Sequence, residues 1–492
     1  VAVVEVAASI EEGIYQAEFE AVSGGKSITT VLTVFVTGNA GGGIVAGTTA
    51  GGTSKLAVRY ASNGYQAPAV PPYGTQVITG KHTLPAIVPA AGSFRTNSYD
   101  ELVAALGKRA NPLPPADLES LTPQERIDRE TADGAGVVVL NPLTMGISMA
   151  PFVPFPRAYP ETFDNNPTGE IRIAAGNLAG DGRDELLLIQ GPKDFPQDNS
   201  GRVGTRMKIA EAHENGTFTA YQVLTIRATR LEYPLNGVSA SLGDLDNDGY
   251  DEIVASQQGR VLLNTGLGFE NMTPYEIYVG SILQLCKITR SDILDTAKLV
   301  EADFINGIQP DPALHPGGWL QWTNERFLTF SEETNPSGAI NTAVGDVDGD
   351  GVAEILVTTQ AADGLKGGNA LLVCEVNVDA GNFGDTTLSI AAVYTDIFSP
   401  VRNPSGSMSV ASADLDGDGI DEIVLGYGED FGGDAAERNV GVFQYDAAAP
   451  FPTLEVWLHE ASDMNGDFFF TNEDCPVNGI NIGASAILPE MP

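Results

Sequence analysis

Positive charge is the scarcest property of this chain. In 492 residues, 26 Lys and Arg stand against 65 Asp and Glu, for a net charge of −39. A field of that sign repels phosphate backbones and draws cations, which argues against a nucleic-acid partner. Cysteine is almost as rare. Cys286, Cys374 and Cys475 lie far apart without a CxxC pair, which excludes a zinc ribbon or thioredoxin-type centre and permits at most one internal disulfide. The four histidines (His82, His213, His315, His459) form no HExxH motif and no i, i+4 pair. A GxSxG elbow, a P-loop and a strand-borne GxGxxG are all missing, so no catalytic residue is assigned and the chain reads as a non-enzyme. No run of 18 apolar residues is present, hence no transmembrane segment is expected. The start at Val1, with neither a basic nor an apolar leader, reads as a mature, processed chain. The sequons at Asn215 and Asn271 fit an extracellular or cell-surface location.

What the chain has in quantity is glycine (56), proline (30) and a 42% apolar fraction, enough for a real core cut by many turns. Length alone allows about three average domains, or one large all-β fold. An internal repeat decides between them. GDLDNDGYDEIVAS begins at Gly243, GDVDGDGVAEILVTT at Gly345 and ADLDGDGIDEIVLG at Ala413, with a weaker copy, GNLAGDGRDELLLIQ, at Gly176. The loops start at Asn177, Asp244, Asp346 and Asp414, a period near 67 with one extra insertion of roughly 35 residues. β-branched runs follow each loop, and RVLLNTGLGFE from Arg260 and ENGTFTAYQVLT from Glu214 supply further strands. About four short strands per period is the grammar of propeller blades.

The loops have the chemistry of a cation site. Asp244, Asp246 and Asp248 stand at positions 1, 3 and 5, Gly249 at position 6 permits the reversal, Tyr250 offers its carbonyl and Glu252 closes the set at position 9. Asp346, Asp348, Asp350, Val352 and Glu354 repeat the arrangement, as do Asp414, Asp416, Asp418, Ile420 and Glu422. In the weak copy Ala179 replaces one acid and leaves Asn177, Asp181, the Arg183 carbonyl and Glu185. Crowded carboxylates repel unless a cation neutralises them, and hard oxygen donors select Ca²⁺. Three sites are expected, with a weak fourth. The acid at position 9 rather than 12, and the strands on either side, separate these loops from EF-hands. Asp463–Asp467 reads as an ordinary turn.

Taken together, the DxDxDGxxE loops, the EIV or EIL strands after them and the NTGLGFE and ENGTF turns resemble FG-GAP/VCBS repeats, the blades of integrin-α-type β-propellers. The resemblance covers about 171–428 and implies that each Ca²⁺ loop joins two strands of one blade in a structural role. The family holds adhesion receptors, lectins and appendages of polysaccharide-degrading enzymes, so the resemblance predicts fold more sharply than function.

The expected architecture is an all-β propeller of four-stranded blades. Seven blades of about 70 residues would use the whole length. Residues 166–492 carry the clear repeats. Residues 1–165 form a β-rich region of degenerate blades or a separate sandwich, with a helical insert near 98–130. Within it, Tyr99–Arg109 and Pro115–Glu130 read as helices and GNAGGGIVAG from Gly38 as a flexible turn. A second insertion is placed near 274–320, with Ser281–Phe304 helical. Trp319 and Trp322 beside it read as packing residues rather than a sugar platform. The expected function is adhesion or assembly, through a protein partner or self-association. A glycan is the alternative ligand, and a carbohydrate-active enzyme the more distant one.

Overall fold

The computed structural model describes residues 13–489 apart from 49–54, 62–74, 78–84, 110–135, 155–169, 192–203, 264–274, 289–319, 428–439, 458–479 and breaks of five residues or fewer. Apart from short 3₁₀ turns such as Phe383–Asp385, the described residues are strands and loops. Five four-stranded antiparallel sheets and one five-stranded sheet form six blades. Blade 1 pairs Ile480–Pro489 with Ala40–Thr48, Lys55–Tyr60 and Thr75–Val77. Blade 2 uses Pro85–Gly92, Glu101–Arg109, Val137–Leu140 and Ile147–Phe152. Blade 3 uses Ile171–Gly176, Glu185–Gln190, Gly204–Ala212 and Phe218–Arg227. Blade 4 joins Val238–Gly243, Glu252–Gln257, Ile282–Ile288 and Leu320–Trp322, with Phe327–Leu328 beside its third strand. Blade 5 runs through Ala339–Gly345, Glu354–Gln360, Ala370–Asn377 and Thr387–Thr395. Blade 6 runs through Met408–Ala413, Glu422–Tyr427, Val440–Gln444 and Thr453–Trp457.

The first-named strands are the inner ones, and they pack in cyclic order. Each touches the inner strand of the next blade, and Ile480–Pro489 of blade 1 touches those of blades 6 and 2. A C-terminal strand thus completes the first blade against an N-terminal one, which joins the two ends of the chain. The apolar core divides the same way, with separate clusters between blades 1 and 2, 2 and 3, 4 and 5, 5 and 6, and 6 and 1. Second strands are buried on both faces, as in Glu185–Gln190 and Glu422–Tyr427, because every blade is covered on two sides.

Four expectations change here. The described inner strands close a ring of six rather than seven, because residues near both termini share one blade. The segment read as a helix from Tyr99 is the strand Glu101–Arg109. Its alternation is hidden because Leu102, Val103, Ala104 and Ala105 are all fully buried, and tertiary packing overrides the helix propensity of Leu and Ala. Likewise Ser281–Phe304 begins with the strand Ile282–Ile288, whose side chains from Ile282 to Cys286 are buried on both faces, while 289–304 lies outside the described residues. The segment from Gly38 is the strand Ala40–Thr48 and not a turn. A β-carbon at Gly42 or Gly47 would strike the backbone of Leu415 or Ile87 in the adjoining blades, so these glycines serve close packing.

The blade-4 departure from the repeat also starts earlier than expected. Val261–Leu263 pairs with Glu232–Pro234 and Tyr275–Glu276 in a small side sheet, and the blade takes its third strand from Ile282–Ile288 instead. A hairpin of Gly13–Ser23 and Lys26–Val36 stands outside the six blades. The candidate helix Pro115–Glu130, the Asp463 turn and the side chains of the three tryptophans lie outside what is described.

Candidate metal loops

The loops connect first to second strands at 93–100, 177–184, 244–251, 346–353 and 414–421, one in each of blades 2 to 6. Each is eight residues long, and each runs into a glutamate at position 9. Those glutamates, Glu101, Glu185, Glu252, Glu354 and Glu422, are at most 4% exposed. The loop fold holds itself together by side chains that cap its own backbone. The Asp346 carboxylate accepts from the N–H groups of Gly349, Asp350 and Gly351 at 2.8–3.1 Å, and Asp414 accepts from Gly417, Asp418 and Gly419 at 2.6–3.1 Å. Asp350 and Asp418 accept from Val352 and Ile420 two residues on. Positions 4 and 6 take left-handed backbone, with φ of 75° and 88° at Gly349 and Gly351, which explains the glycines. Asn247 adopts φ 55° at position 4 of blade 4. From the far side, Glu252, Glu354 and Glu422 each accept from the N–H of position 2, at 2.7–3.0 Å, whereas Glu185 accepts from Ala179 at position 3, at 2.9 Å.

Carboxylates meet at three of the loops. Ligand oxygens of Asp346, Asp348 and Glu354 lie within 4.8 Å of one another, as do those of Asp414, Asp416 and Glu422, and those of Asp244, Asp246 and Asp248. Blade 5 shows the electrostatic consequence. Burial, reinforced by the neighbouring Asp348, pushes Glu354 up to about 8, and burial also raises Asp348. A hard divalent cation fits this donor set. Asp346, Asp348, Asp350, Glu354 and the Val352 carbonyl would hold it, and its charge would offset the crowding. Asp414, Asp416, Asp418, Glu422 and the Ile420 carbonyl offer the same set in blade 6.

Blades 3 and 4 differ. At the Asn177 loop the turn persists, with Asn177 Oδ1 accepting from Asp181 N at 3.1 Å and Asp181 accepting from Arg183 N. No third carboxylate joins Asp181 and Glu185 among the described residues, and the Arg183 guanidinium lies 3.7 Å from Asp181. Burial, then the charges of Asp181 and Glu211, push Glu185 up to about 8. At the Asp244 loop, the ammonium of Lys287 sits among the acids. Its Nζ lies 2.5 Å from Asp246, 2.6 Å from Asp248 and 3.1 Å from Glu252.

Sequence reading missed the blade-2 loop, Ser93–Asp100, because its acids are gone except at the end. Arg95 at position 3 instead forms a two-pronged ion pair with Glu101, and Ser148 donates to the same carboxylate at 2.7 Å. The one surviving signal is the Asp-Glu pair at 100–101, which matches those at 184–185, 251–252 and 421–422.

That Asp, at position 8, latches each blade to its predecessor. Asp184 Oδ2 accepts from Ser93 N at 2.7 Å, Asp251 from Asn177 N at 2.8 Å and Asp421 from Asp346 N at 3.1 Å, and the N–H of each Asp returns a bond to the same residue's carbonyl. Asp100 accepts instead from Ser485 Oγ of blade 1 at 2.6 Å. Blade 5 has Ala353 at this position.

The six inner strands surround an axial cavity of about 660 Å³, lined mainly by Ala, Ser and Val. Glu170 is the one carboxylate among its described lining residues, and Arg172 holds it at 2.7–2.8 Å while also donating to the Val238 carbonyl. No helix among the described residues is long and apolar enough to cross a membrane.

No curated protein matches the chain. Among solved structures, it is similar to an Agrocybe aegerita lectin described as recognising non-reducing terminal N-acetylglucosamine, at 14% identity and TM-score 0.35, covering 92% of this chain and 96% of that one. It is similar to the rhamnogalacturonan lyase PL11 of Bacillus licheniformis at 16% identity and TM-score 0.28, covering 78% of this chain and 57% of that one. It also resembles the V. cholerae biofilm matrix protein Bap1, at 10% identity and TM-score 0.23, covering 93% and 89%. Residues 339–374 match the FG-GAP repeat model. That stretch holds the first three strands of blade 5 and its acid loop, so this all-β, propeller-like chain carries an FG-GAP repeat where its carboxylates gather.

Proposed function

We propose that this chain is a calcium-stabilised β-propeller of the integrin-α type, secreted or surface-displayed, that works as a non-enzymatic adhesion or assembly module. Its ligand would be a protein partner or further copies of itself. The observation that carries the reading is where the ionisable chemistry is spent. The clustered carboxylates lie in the strand-connecting loops, and the axial cavity offers a single carboxylate already paired with Arg172. Glycoside cleavage needs two carboxyl groups facing one cleft, and that cavity supplies no second one among its described lining residues. The loops then act as staples, and the contact surface falls to the rim.

The rim of blade 5 suits that role. Its outermost strand, Thr387–Thr395, pairs on one side only among the described residues, carries no charge and exposes Ile390 and Val393 by 50% and 56%. An uncharged, β-branched edge of nine residues is a ready template for pairing with another strand. Sedimentation velocity of the full chain in millimolar Ca²⁺, over a hundredfold concentration range, tests this. Concentration-dependent association that Val393→Lys abolishes supports assembly. A monomer throughout, with saturable binding on a glycan array, would replace the reading with a lectin. Release of sugar products from a polysaccharide panel would replace it with an enzyme.

A further inference from the structure

The five loops share one framework but differ in the charges set against their glutamates. We infer that Lys287 is a built-in substitute for the divalent ion in blade 4, so that the Asp244 loop is stapled by a lysine and takes up no metal. The inference rests on the calcium reading of the acid loops and divides them.

Strand register is the first support. In blade 4 Ile253 pairs with Cys286, which places Lys287 on the third strand next to the Glu252 position. The same register recurs around the ring. Leu102 pairs with Leu140, Leu186 with Ala210, Ile355 with Cys374 and Ile423 with Phe443. The residues corresponding to Lys287 are therefore Asn141, Glu211, Glu375 and Gln444. Only blade 4 places a base beside its loop glutamate from this position, whereas blade 5 places an acid there.

Geometry is the second support. The Lys287 ammonium reaches Asp246, Asp248 and Glu252, at positions 3, 5 and 9, which are ligand positions of the cation reading. An ammonium with three donors can serve three carboxylates at once, and its tether holds it in place without a binding equilibrium. A divalent ion entering the same space would have to displace it. Burial works against the charge on Lys287, but its bonds to Asp246 and Asp248 outweigh this and hold the amine above its usual range. Blade 2 provides a parallel. There the buried position-9 acid, Glu101, is met by the Arg95 guanidinium. The ring thus sets a guanidinium against the same buried glutamate in one blade and an ammonium in another, and leaves an all-acid set in blade 5.

The test is metal stoichiometry with a melting curve. Full chain is equilibrated with Ca²⁺, passed into metal-free buffer and analysed for bound calcium per chain, then melted with Ca²⁺ and with excess chelator. Lys287→Met is expected to bind one more equivalent than the unsubstituted chain, to melt below it in chelator and to recover when Ca²⁺ is added. Glu375→Lys places the base in blade 5 at an exposed position where folding is not at risk, and is expected to bind one equivalent fewer. Unchanged stoichiometry in both variants, with an unchanged melt of Lys287→Met in chelator, overturns the inference. If the unsubstituted chain binds no calcium, the calcium reading fails on its own. The claim that Lys287 replaces a divalent ion then falls with it, and a lower melt of Lys287→Met would report only an ion pair within the loop.

Discussion

Gly176 and Asp251 form one device, and breaking it from either side has a calculable cost. Gly176 ends the inner strand of blade 3, and Asp251 arrives from the loop of blade 4 to accept the Asn177 N–H. A β-carbon at Gly176 would overlap Asp251 Oδ2 and stand 2.8 Å from the Leu242 β-carbon. Gly176→Ala therefore both overpacks the interface and displaces the latch. Overpacking costs about 1–3 kcal/mol, and losing a hydrogen bond to a charged group about 1.5–3 kcal/mol. The sum is roughly 2.5–6 kcal/mol. Asp251→Ala removes the latch and also clears the carboxylate that the new methyl would strike. In that background Gly176→Ala keeps only the Leu242 contact, so its cost should fall by roughly 1.5–3 kcal/mol. The assay is a double-mutant cycle from urea unfolding of the full chain, followed by tryptophan fluorescence and circular dichroism at fixed Ca²⁺. Additive losses within about 0.5 kcal/mol would refute the coupling. The cycle has an internal control. Gly243 faces Val344 rather than an acid, because position 8 of blade 5 is Ala353, so Gly243→Ala should show no coupling to Ala353→Ser.

Asp348→Asn should lower the melting temperature in millimolar Ca²⁺ and leave it nearly unchanged in excess chelator. A site saturated a thousandfold over its Kd contributes about 4 kcal/mol, and equal losses in both buffers would remove the metal from blade 5. Burial pushes Asp100 up from 3.8 to about 6, so the fold holds a proton that the unfolded chain releases. Its contribution is greatest below pH 3.8 and is lost as pH rises through 6, by roughly 3 kcal/mol. Asp100→Asn keeps an acceptor for Ser485, and its urea midpoint should gain on the parent between pH 4 and 6.5; a constant difference would contradict the shift. Burial also pushes the Cys374 thiol up to about 12. Maleimide labelling followed by peptide mass spectrometry should find Cys374 unmodified in the native chain and modified in urea, and native labelling would show that blade 5 opens.

What could be read in the sequence follows the physics of each feature. The acid loops were legible because left-handed glycines and capping acids need fixed residue types at fixed spacing, so Asp346, Gly349, Gly351 and Glu354 leave a pattern. Middle strands such as Glu101–Arg109 and Ile282–Ile288 were not, since a strand covered on both faces loses its alternation and reads like a buried helix. The blade count failed for a different reason. A blade shared between Ile480–Pro489 and Ala40–Thr48 has no loop joining its first two strands, hence no acid motif and no period to count. Lys287 was invisible because its meaning depends on register. Nothing near residue 287 marks it as a partner of Asp246, and only the pairing of Ile253 with Cys286 brings the two together. The motif thus reports the shape of the loop, while the charge set against it in blade 4 comes from a residue on the third strand. Blade 2 presses the point further, for there Arg95 has replaced the motif itself and the buried Glu101 still remains. The constant element is the buried glutamate at position 9, which Arg95 meets in blade 2 and Lys287 in blade 4, and for which a divalent ion would serve the same purpose in blade 5.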